Sequence, residues 1–422
     1  MKIVLASYGT RGDVEPPVTL GRELLRRGHD VRMAVPPDLV GFAESAGLAA
    51  VAYGPEVQAW LDEPSTFWKD VFAKIWRIRD LTRLLRESRV RQTQLWEEAS
   101  TTLMSLAEGA DLVLTGLIYN QAAASAAEYF DIPLATLDLY PVRANGQLLS
   151  ILPAPLGRFA LSAFEWLFWR MGKRDEDAHR RKLGLPKATE PVPRRISRRG
   201  SLEIQAYDEV CFPGLAAEWA KWDGRRPFVG ALTMELPTEA DEDIASWIAA
   251  GTPPIFFGFG SIRINSPADT LAMISAACAQ LGERALVCAG WSDFSDLAHL
   301  KHVKVVRTMN YAAIFPTCRA IVHHGGSGTI AASLRAGVPT LILWTDLLQA
   351  ILSAHVKRLK VGTARRFSAT TQESLIADIR TIVAPAYVAR AREVATWMTK
   401  PATSVTAAAD VVEEFAGSKN AG

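Results

Sequence analysis

Apolar and polar positions along this chain switch between two rhythms. Ile3–Ser7 is a short apolar run, β-rich at its start, and a glycine-containing loop, Gly9-Thr10-Arg11-Gly12-Asp13, follows at once. From Val14 to Gly28, the spacing of Val18, Leu20, Leu24 and Leu25 is helical. Pro16 and Pro17 suit the first turn of such a helix, and Gly28 suits its C-terminal cap. Val31–Val35 predicts the next strand. Strand, loop, helix and strand open a right-handed βαβ unit. Apolar runs at Leu112–Thr115 and Leu134–Asp138 extend the same parallel sheet.

Between Phe67 and Arg91 the pattern changes. Trp68, Val71, Phe72, Ile75, Ile78, Leu81 and Leu85 recur at three- and four-residue steps, interleaved with many more lysines and arginines than acids. This predicts a basic amphipathic helix. Packing on a domain edge with solvated cations is its simpler reading; contact with an acceptor or an anionic membrane is the other. Leu156–Met171 predicts a second apolar, Trp-rich helix, and a basic stretch from Arg180 to Arg199 follows it. The alternation restarts near Pro227. Strands are predicted at Ile255–Ser261, Ala285–Ala289, Val303–Val306, Ala320–His323 and Thr340–Trp344, with helices at Pro267–Leu281 and Thr329–Ala336. Two α/β halves joined near Gly224–Gly230 result, and the crevice between them is the expected ligand site. Residues 401–422 form a terminal helix that is free to pack back on the first half.

Composition changes this picture little. With 422 residues, 49% apolar and 22% charged, the chain fits a globular enzyme of two domains. A formal net charge of +2 gives no electrostatic reason to expect nucleic acid as a partner. Cys211, Cys278, Cys288 and Cys318 form no C-x-x-C pair, so neither a disulfide framework nor a zinc site is expected. The first apolar run is too short for a signal peptide, and no run is long enough to span a bilayer. A cytoplasmic protein is expected, at most peripheral at the inner face of the membrane.

The most informative segment is Val322-His323-His324-Gly325-Gly326-Ser327-Gly328-Thr329, between a predicted strand and a predicted helix. Glycines let a backbone approach an anion closely, and a helix N-terminus offers free N–H groups and a positive dipole end. Thr329 adds a hydroxyl, and a histidine beside the loop can donate to a phosphoryl oxygen. The segment lacks the lysine of a Walker loop and does not fit G-x-G-x-x-G. On its own it is equally well an ordinary tight turn.

A second motif makes the reading specific. Val322–Gly337 with Val338-Pro339 resembles the signature loop of GT-B glycosyltransferases acting on antibiotics, sterols and glycolipids. Gly9-Thr10-Arg11-Gly12-Asp13-Val14-Glu15-Pro16 resembles the N-terminal loop of the same bacterial enzymes. Gly28-His29-Asp30-Val31 and Phe257–Ser261 extend the resemblance over essentially the whole chain, and it is nearest to actinobacterial transferases that decorate glycopeptidolipids and phenolic glycolipids. It implies an α/β protein of GT-B fold: two Rossmann-like doubly wound domains with an inter-domain cleft. Residues 1–224 would hold the acceptor and 225–400 the nucleotide-sugar donor.

Local sequence favours Asp13 as a helix cap. The resemblance instead implies the general base that takes the acceptor's hydroxyl proton. It also implies diphosphate contacts from Ser261, His324, Gly326, Ser327, Gly328 and Thr329, and from Arg11, for which a plain surface charge is an equal reading. His323 reads as structural. Trp291, Met309 and Asn310 fall where the family holds the nucleobase. Trp68, Trp76, Phe164 and Trp166 are candidates to line the acceptor cleft, although such aromatics are more often core. One departure stands out. The family carries an acid before the glutamine that grips donor-sugar hydroxyls; here Gln349 matches, Leu348 replaces the acid, and Asp346 is the nearest carboxylate. The departure changes which sugar hydroxyls can be satisfied, and the resemblance to actinobacterial transferases implies a deoxysugar on dTDP or UDP as donor. No Asp-x-Asp metal site is evident and no cofactor is implied. A base with no second carboxylate as nucleophile implies inversion. An epimerase on the same fold, and a non-catalytic nucleotide-sugar-binding partner, remain the competing classes.

Overall fold

A computed structural model describes residues 1–58, 96–222, 224–260, 262, 264, 266–290 and 301–420. Its first sheet contains β1 (Lys2–Ala6), β2 (Asp30–Val35), β3 (Ala49–Ala52), β4 (Leu112–Thr115), β5 (Leu134–Asp138) and β6 (Leu202–Gln205). Its second contains β7 (Ile255–Gly258), β8 (Ala285–Cys288), β9 (Val303–Val306), β10 (Ala320–His323), β11 (Thr340–Trp344) and β12 (Gly362–Arg366). All pairings are parallel. The orders are β3-β2-β1-β4-β5-β6 and β12-β11-β10-β7-β8-β9. Counted from the first strand of each half, both read 3-2-1-4-5-6, the doubly wound order. The order reverses between β1 and β4 in one sheet and between β7 and β10 in the other. Ligands bind at such switch points, beyond the carboxyl ends of the strands. Residues 7–13 leave β1 there, and residues 324–329 leave β10.

The central strands read as unbroken apolar runs because helices cover both their faces. Ile3, Val4, Leu5, Ile321 and Val322 are fully buried. The helix after β1 spans Arg11–Arg26 and not Val14–Gly28. Pro16 and Pro17 therefore sit inside it, beyond its first turn. An interior proline removes one ladder hydrogen bond and crowds the preceding turn. The carbonyl that Pro17 cannot satisfy belongs to Asp13, and Ser7 Oγ donates to it at 2.9 Å. The far end closes as a Schellman motif: Gly28 N–H bonds Leu25 O at 3.0 Å and His29 N–H bonds Leu24 O at 3.1 Å. Gly28 has φ +89°, which a side chain would disfavour.

The terminal helix, Pro401–Asn420, crosses back to the first sheet. Ala408, Ala409, Val412 and Ala416 share a core with Leu20 and Leu24. Arg27 pairs with Asp410 at 2.7 Å and Glu413 at 2.6 Å, and His29 Nε2 meets Glu413 at 2.7 Å. The Trp-rich helix is longer than the apolar run suggested, Ala154–Lys182. The basic stretch after it is partly internal. Arg180 and Arg195 are buried against Glu128 at 2.7 and 2.9 Å, and Arg195 also holds Glu176 at 2.7 Å. Among the described residues, no helix is long and apolar enough to cross a membrane.

Candidate active site

Thr10, not Asp13, is the N-cap of the first helix, and Asp13 is its third residue. The Asp13 Oδ2 atom accepts from Thr10 N–H at 2.8 Å and from Thr10 Oγ1 at 3.1 Å. Thr-x-x-Asp is capping-box spacing with aspartate in the usual glutamate position. Gly9 has φ +136°, and a Cβ there would collide with the Asp13 carboxylate. The loop thus needs glycine where the carboxylate folds back. Burial pushes the Asp13 carboxyl up from the usual range, and the Thr10 bonds pull it partly back. Oδ1 makes no hydrogen bond among the described residues. Cap and base are therefore compatible roles for one carboxylate, one oxygen held and the other unengaged.

The second loop is built in the opposite way. Gly325 has φ +100°, Gly326 is the N-cap, and the helix spans Ser327–Arg335. It begins two residues before the expected Thr329, so Ser327, Gly328 and Thr329 form its first turn. No side chain caps it. Its N-terminal N–H groups are left to bind an anion. The His324 ring is packed between two glycines. A Cβ on Gly326 would come within 2.7 Å of Nε2, and one on Gly260, at the end of β7, within 2.6 Å of Cε1. Burial pushes His324 down to about 4 against an opposing hydrogen bond between the ring and the Gly258 backbone, so its imidazole is neutral near pH 7. His323 is turned inward: fully buried, its Nδ1 accepts from Gly325 N–H at 3.1 Å and shapes the loop.

Elements that follow the two loops line a common pocket: Pro16, one turn beyond Asp13, and Ser327 and Gly328, just beyond His324, whereas Asp13 and His324 are not themselves among its lining residues. Leu139 and Tyr140, after β5, line it too. Burial holds the Tyr140 phenol above its ordinary range, and the charges of Asp13, Asp138 and Asp346 add to this. Carboxylates from both halves thus lie around one phenol. Glu15 Oε1 accepts from Met234 N–H at 3.1 Å, and Arg11's charge reaches Cys288 and Tyr311, both raised chiefly by burial.

Other expected contacts sort unevenly. Arg11 is exposed, stacks 4.6 Å over Phe42 and pairs with Glu15 at 3.2 Å. Met309 is buried in the core with Phe256 and Phe315. The Asn310 side chain caps the next helix by accepting from Ala312 N–H at 3.1 Å. That leaves the backbone of Met309 and, at Asn310, the backbone and the side-chain Nδ2 group for a nucleobase. Asp346 caps the Leu347–Leu359 helix by accepting from Gln349 N–H at 2.9 Å. Gln349 Oε1 accepts from Thr345 N–H at 2.7 Å and Thr345 Oγ1 at 3.2 Å. Phe164 and Trp166 are 54% and 50% exposed, so they are neither core nor part of the cavity lining. Trp68, Trp76, Ser261 and Trp291 lie outside the described residues. Sequence reasoning missed Thr10, Gly260 and Tyr140. The Thr-x-x-Asp spacing and the positions of Gly260 and Tyr140 just past strand ends were the available signals.

Comparison with known proteins agrees with this architecture. Residues 3–93 match the glycosyltransferase family 28 N-terminal domain, and residues 274–415 match the erythromycin biosynthesis protein CIII-like C-terminal domain. An uncharacterized glycosyltransferase of Mycobacterium tuberculosis is 60% identical over 419 residues, covering 99% of both chains. A Mycobacterium leprae relative is 57% identical, covering 99% of this chain and 97% of its own. A sterol 3-beta-glucosyltransferase of Arabidopsis thaliana is 26% identical over 81% of this chain and 56% of its own. Among solved structures, the kitacinnamycin glycosyltransferase superposes with a TM-score of 0.71 at 17% identity, covering 98% of each chain. The fold and paired switch-point loops define a GT-B glycosyltransferase. The chain belongs to that family, within a group represented in mycobacteria.

Proposed function

We propose that this glycosyltransferase moves a deoxyhexose from a dTDP- or UDP-linked donor to a hydroxyl of a hydrophobic acceptor, with inversion and without a metal. A cell-envelope glycolipid or lipopeptide is the acceptor class. The observation that carries this reading is the pairing of a held carboxylate at one switch point with an uncapped helix N-terminus at the other, followed by elements that line one pocket. Asp13 takes the proton as the acceptor oxygen bonds the anomeric carbon, and the bond to the diphosphate breaks on the opposite side. Negative charge then grows on the leaving diphosphate. The N–H groups of Ser327, Gly328 and Thr329 and the neutral His324 meet that charge, stabilising the transition state more than the ground state. Helix dipole and N–H donors take the part a metal plays elsewhere.

The donor assignment rests on two supports. Asp346 and Gln349 spend acceptor atoms on the fold, which leaves fewer partners for sugar hydroxyls and favours a sugar that has fewer of them. Structures of similar fold include a glycosyltransferase in complex with dTDP, at TM-score 0.64, and a spinosyn rhamnosyltransferase, at 0.65. The acceptor assignment rests on the sequence resemblance and on the mycobacterial relatives, and it includes peripheral contact with the membrane that holds the acceptor. A donor panel tests the proposal. Nucleoside diphosphate released from dTDP-rhamnose or dTDP-6-deoxytalose only when a lipid acceptor is present is expected, with an inverted anomeric centre by NMR. Turnover with UDP-glucose alone would reject the donor, and acceptor-independent conversion would indicate an epimerase.

A further inference from the structure

The Ala154–Lys182 helix turns its apolar side chains outward. Ile151, just before it, is 86% exposed, and Leu156, Phe159, Trp166 and Leu167 are 56%, 72%, 50% and 57% exposed. Large apolar residues scattered singly on a surface are ordinary; a contiguous set marks an interaction surface. At about 100° per residue, Leu156, Phe159, Trp166 and Leu167 share an arc of about 100°, and Arg170, Arg174 and Arg181 continue the same arc. All three arginines are exposed and form no ion pair among the described residues. Arg170 lies 5.6 Å over the Trp166 ring. The one acid on this arc, Asp177, is engaged by Lys173 at 2.9 Å and by Ala188 N–H at 3.0 Å. The opposite face holds the helix to the fold: Glu165 accepts from Ala144 N–H at 3.1 Å, and Glu176 pairs with Arg195 at 2.7 Å.

We propose that this arc is the surface by which the enzyme sits on an anionic lipid bilayer. Aromatic and leucine side chains followed by unpaired arginines have the composition of an interfacial helix, the first set entering the acyl boundary and the second meeting lipid phosphates. The positive charge of the exposed arginines, which form no ion pair among the described residues, is what an anionic lipid surface complements. The location fits as well. Residues 139–153 run from Leu139 and Tyr140 in the cavity to Ile151 at the edge of the arc. The proposal rests on the reading of the acceptor as a membrane lipid and names the face that meets it.

Co-sedimentation with phosphatidylglycerol and phosphatidylcholine vesicles at two salt concentrations tests it. The protein is expected to sediment with phosphatidylglycerol at low salt and to be released at high salt. The double variant Phe159→Glu/Leu167→Glu and the double variant Arg170→Ala/Arg174→Ala should each weaken that binding about tenfold or more. Transfer to a short, water-soluble acceptor should stay unchanged, which also shows that the variants fold. Wild-type binding by both double variants would overturn the proposal. So would slow thiol labelling of Phe159→Cys in lipid-free protein, since another part of the chain or a second copy would then cover the arc. Vesicle binding without transfer to any lipid acceptor would support the surface and count against the acceptor reading.

Discussion

At the end of β1, the Arg11–Arg26 helix closes its own N-terminus, with Thr10 and Asp13 satisfying one another across the first turn. At the end of β10, the Ser327–Arg335 helix begins at a glycine, and no side chain caps it among the described residues. The two sheets have the same strand order, but the loops leave different sides of the switch point, one after the first strand of its half and the other after the fourth. What also differs is the occupant of the positive helix end. In the first half it is a carboxylate of the protein, which the proposed function makes the base. In the second the proposed function places the diphosphate of a donor. On that proposal, base and leaving-group chemistry are divided between the two halves, with a capping acid at one loop and a glycine at the other.

The comparison is sharpest if each end is altered alone. Asp13→Asn keeps an oxygen for Thr10 and removes the base, so transfer should fall by about 10²–10⁴-fold in kcat. Its melting temperature should stay level or rise. The sign follows from the raised carboxyl. The folded state holds the Asp13 proton more tightly than the unfolded chain does, so the ionised group costs stability above its folded pKa, a cost that asparagine removes. A purely structural cap would show the reverse, lower stability with near-normal transfer. Ser327→Asp places an acid in the open helix's first turn. It should raise the donor KM about tenfold or more by repelling the diphosphate, while stabilising the helix by about 0.3–1 kcal/mol. Unchanged donor affinity would mean that the anion binds elsewhere.

Smaller effects refine the account. Thr10→Ala should cost about 1 kcal/mol of stability through the lost cap. It also removes the Oγ1 bond that favours the Asp13 carboxylate while keeping the backbone N–H bond, so the acid limb of the kcat/KM profile should move modestly to higher pH. A stationary limb would show that Asp13 is not the group being titrated. His324→Gln should act on stability between pH 4 and 6.5. In that window an unfolded histidine is protonated and the folded ring, pushed down to about 4, is not. Stability therefore rises with pH there, and the variant should flatten the rise in a thermal-melt series. An unaltered slope would assign it to the other buried histidines, His179, His323 and His355, whose pKa values burial also lowers.

The sequence was most legible where burial and backbone geometry constrain the residues. β1, β4, β5 and β10 are apolar on both faces and read directly as strands. Of the edge strands, β9 was read at Val303–Val306, but the other three were not. β3 is Ala-Ala-Val-Ala and largely exposed, and β12 ends in Arg365 and Arg366. β6 carries Glu203, whose burial is tolerable only because Arg143 at 2.5 Å and Arg226 at 3.3 Å come from elsewhere in the chain. No local pattern announces such partners. The glycines of the phosphate loop were visible, but the role of Gly260 as the other wall of the His324 slot required the β7–β10 pairing. Pro16 and Pro17 displaced the expected helix start, because the compensating bond comes from Ser7, outside the helix. Phe164 and Trp166 show the limit of hydrophobicity as a guide, since an outward apolar face has the same composition as an inward one.

Calorimetric titration of dTDP into Asp13→Asn and Ser327→Asp, run beside their transfer rates, tests the division of labour most directly. The account predicts that Asp13→Asn binds the nucleotide like the parent enzyme yet transfers almost no sugar, whereas Ser327→Asp loses the nucleotide. Loss of dTDP affinity in Asp13→Asn, or transfer by it within tenfold of the parent, would contradict the assignment.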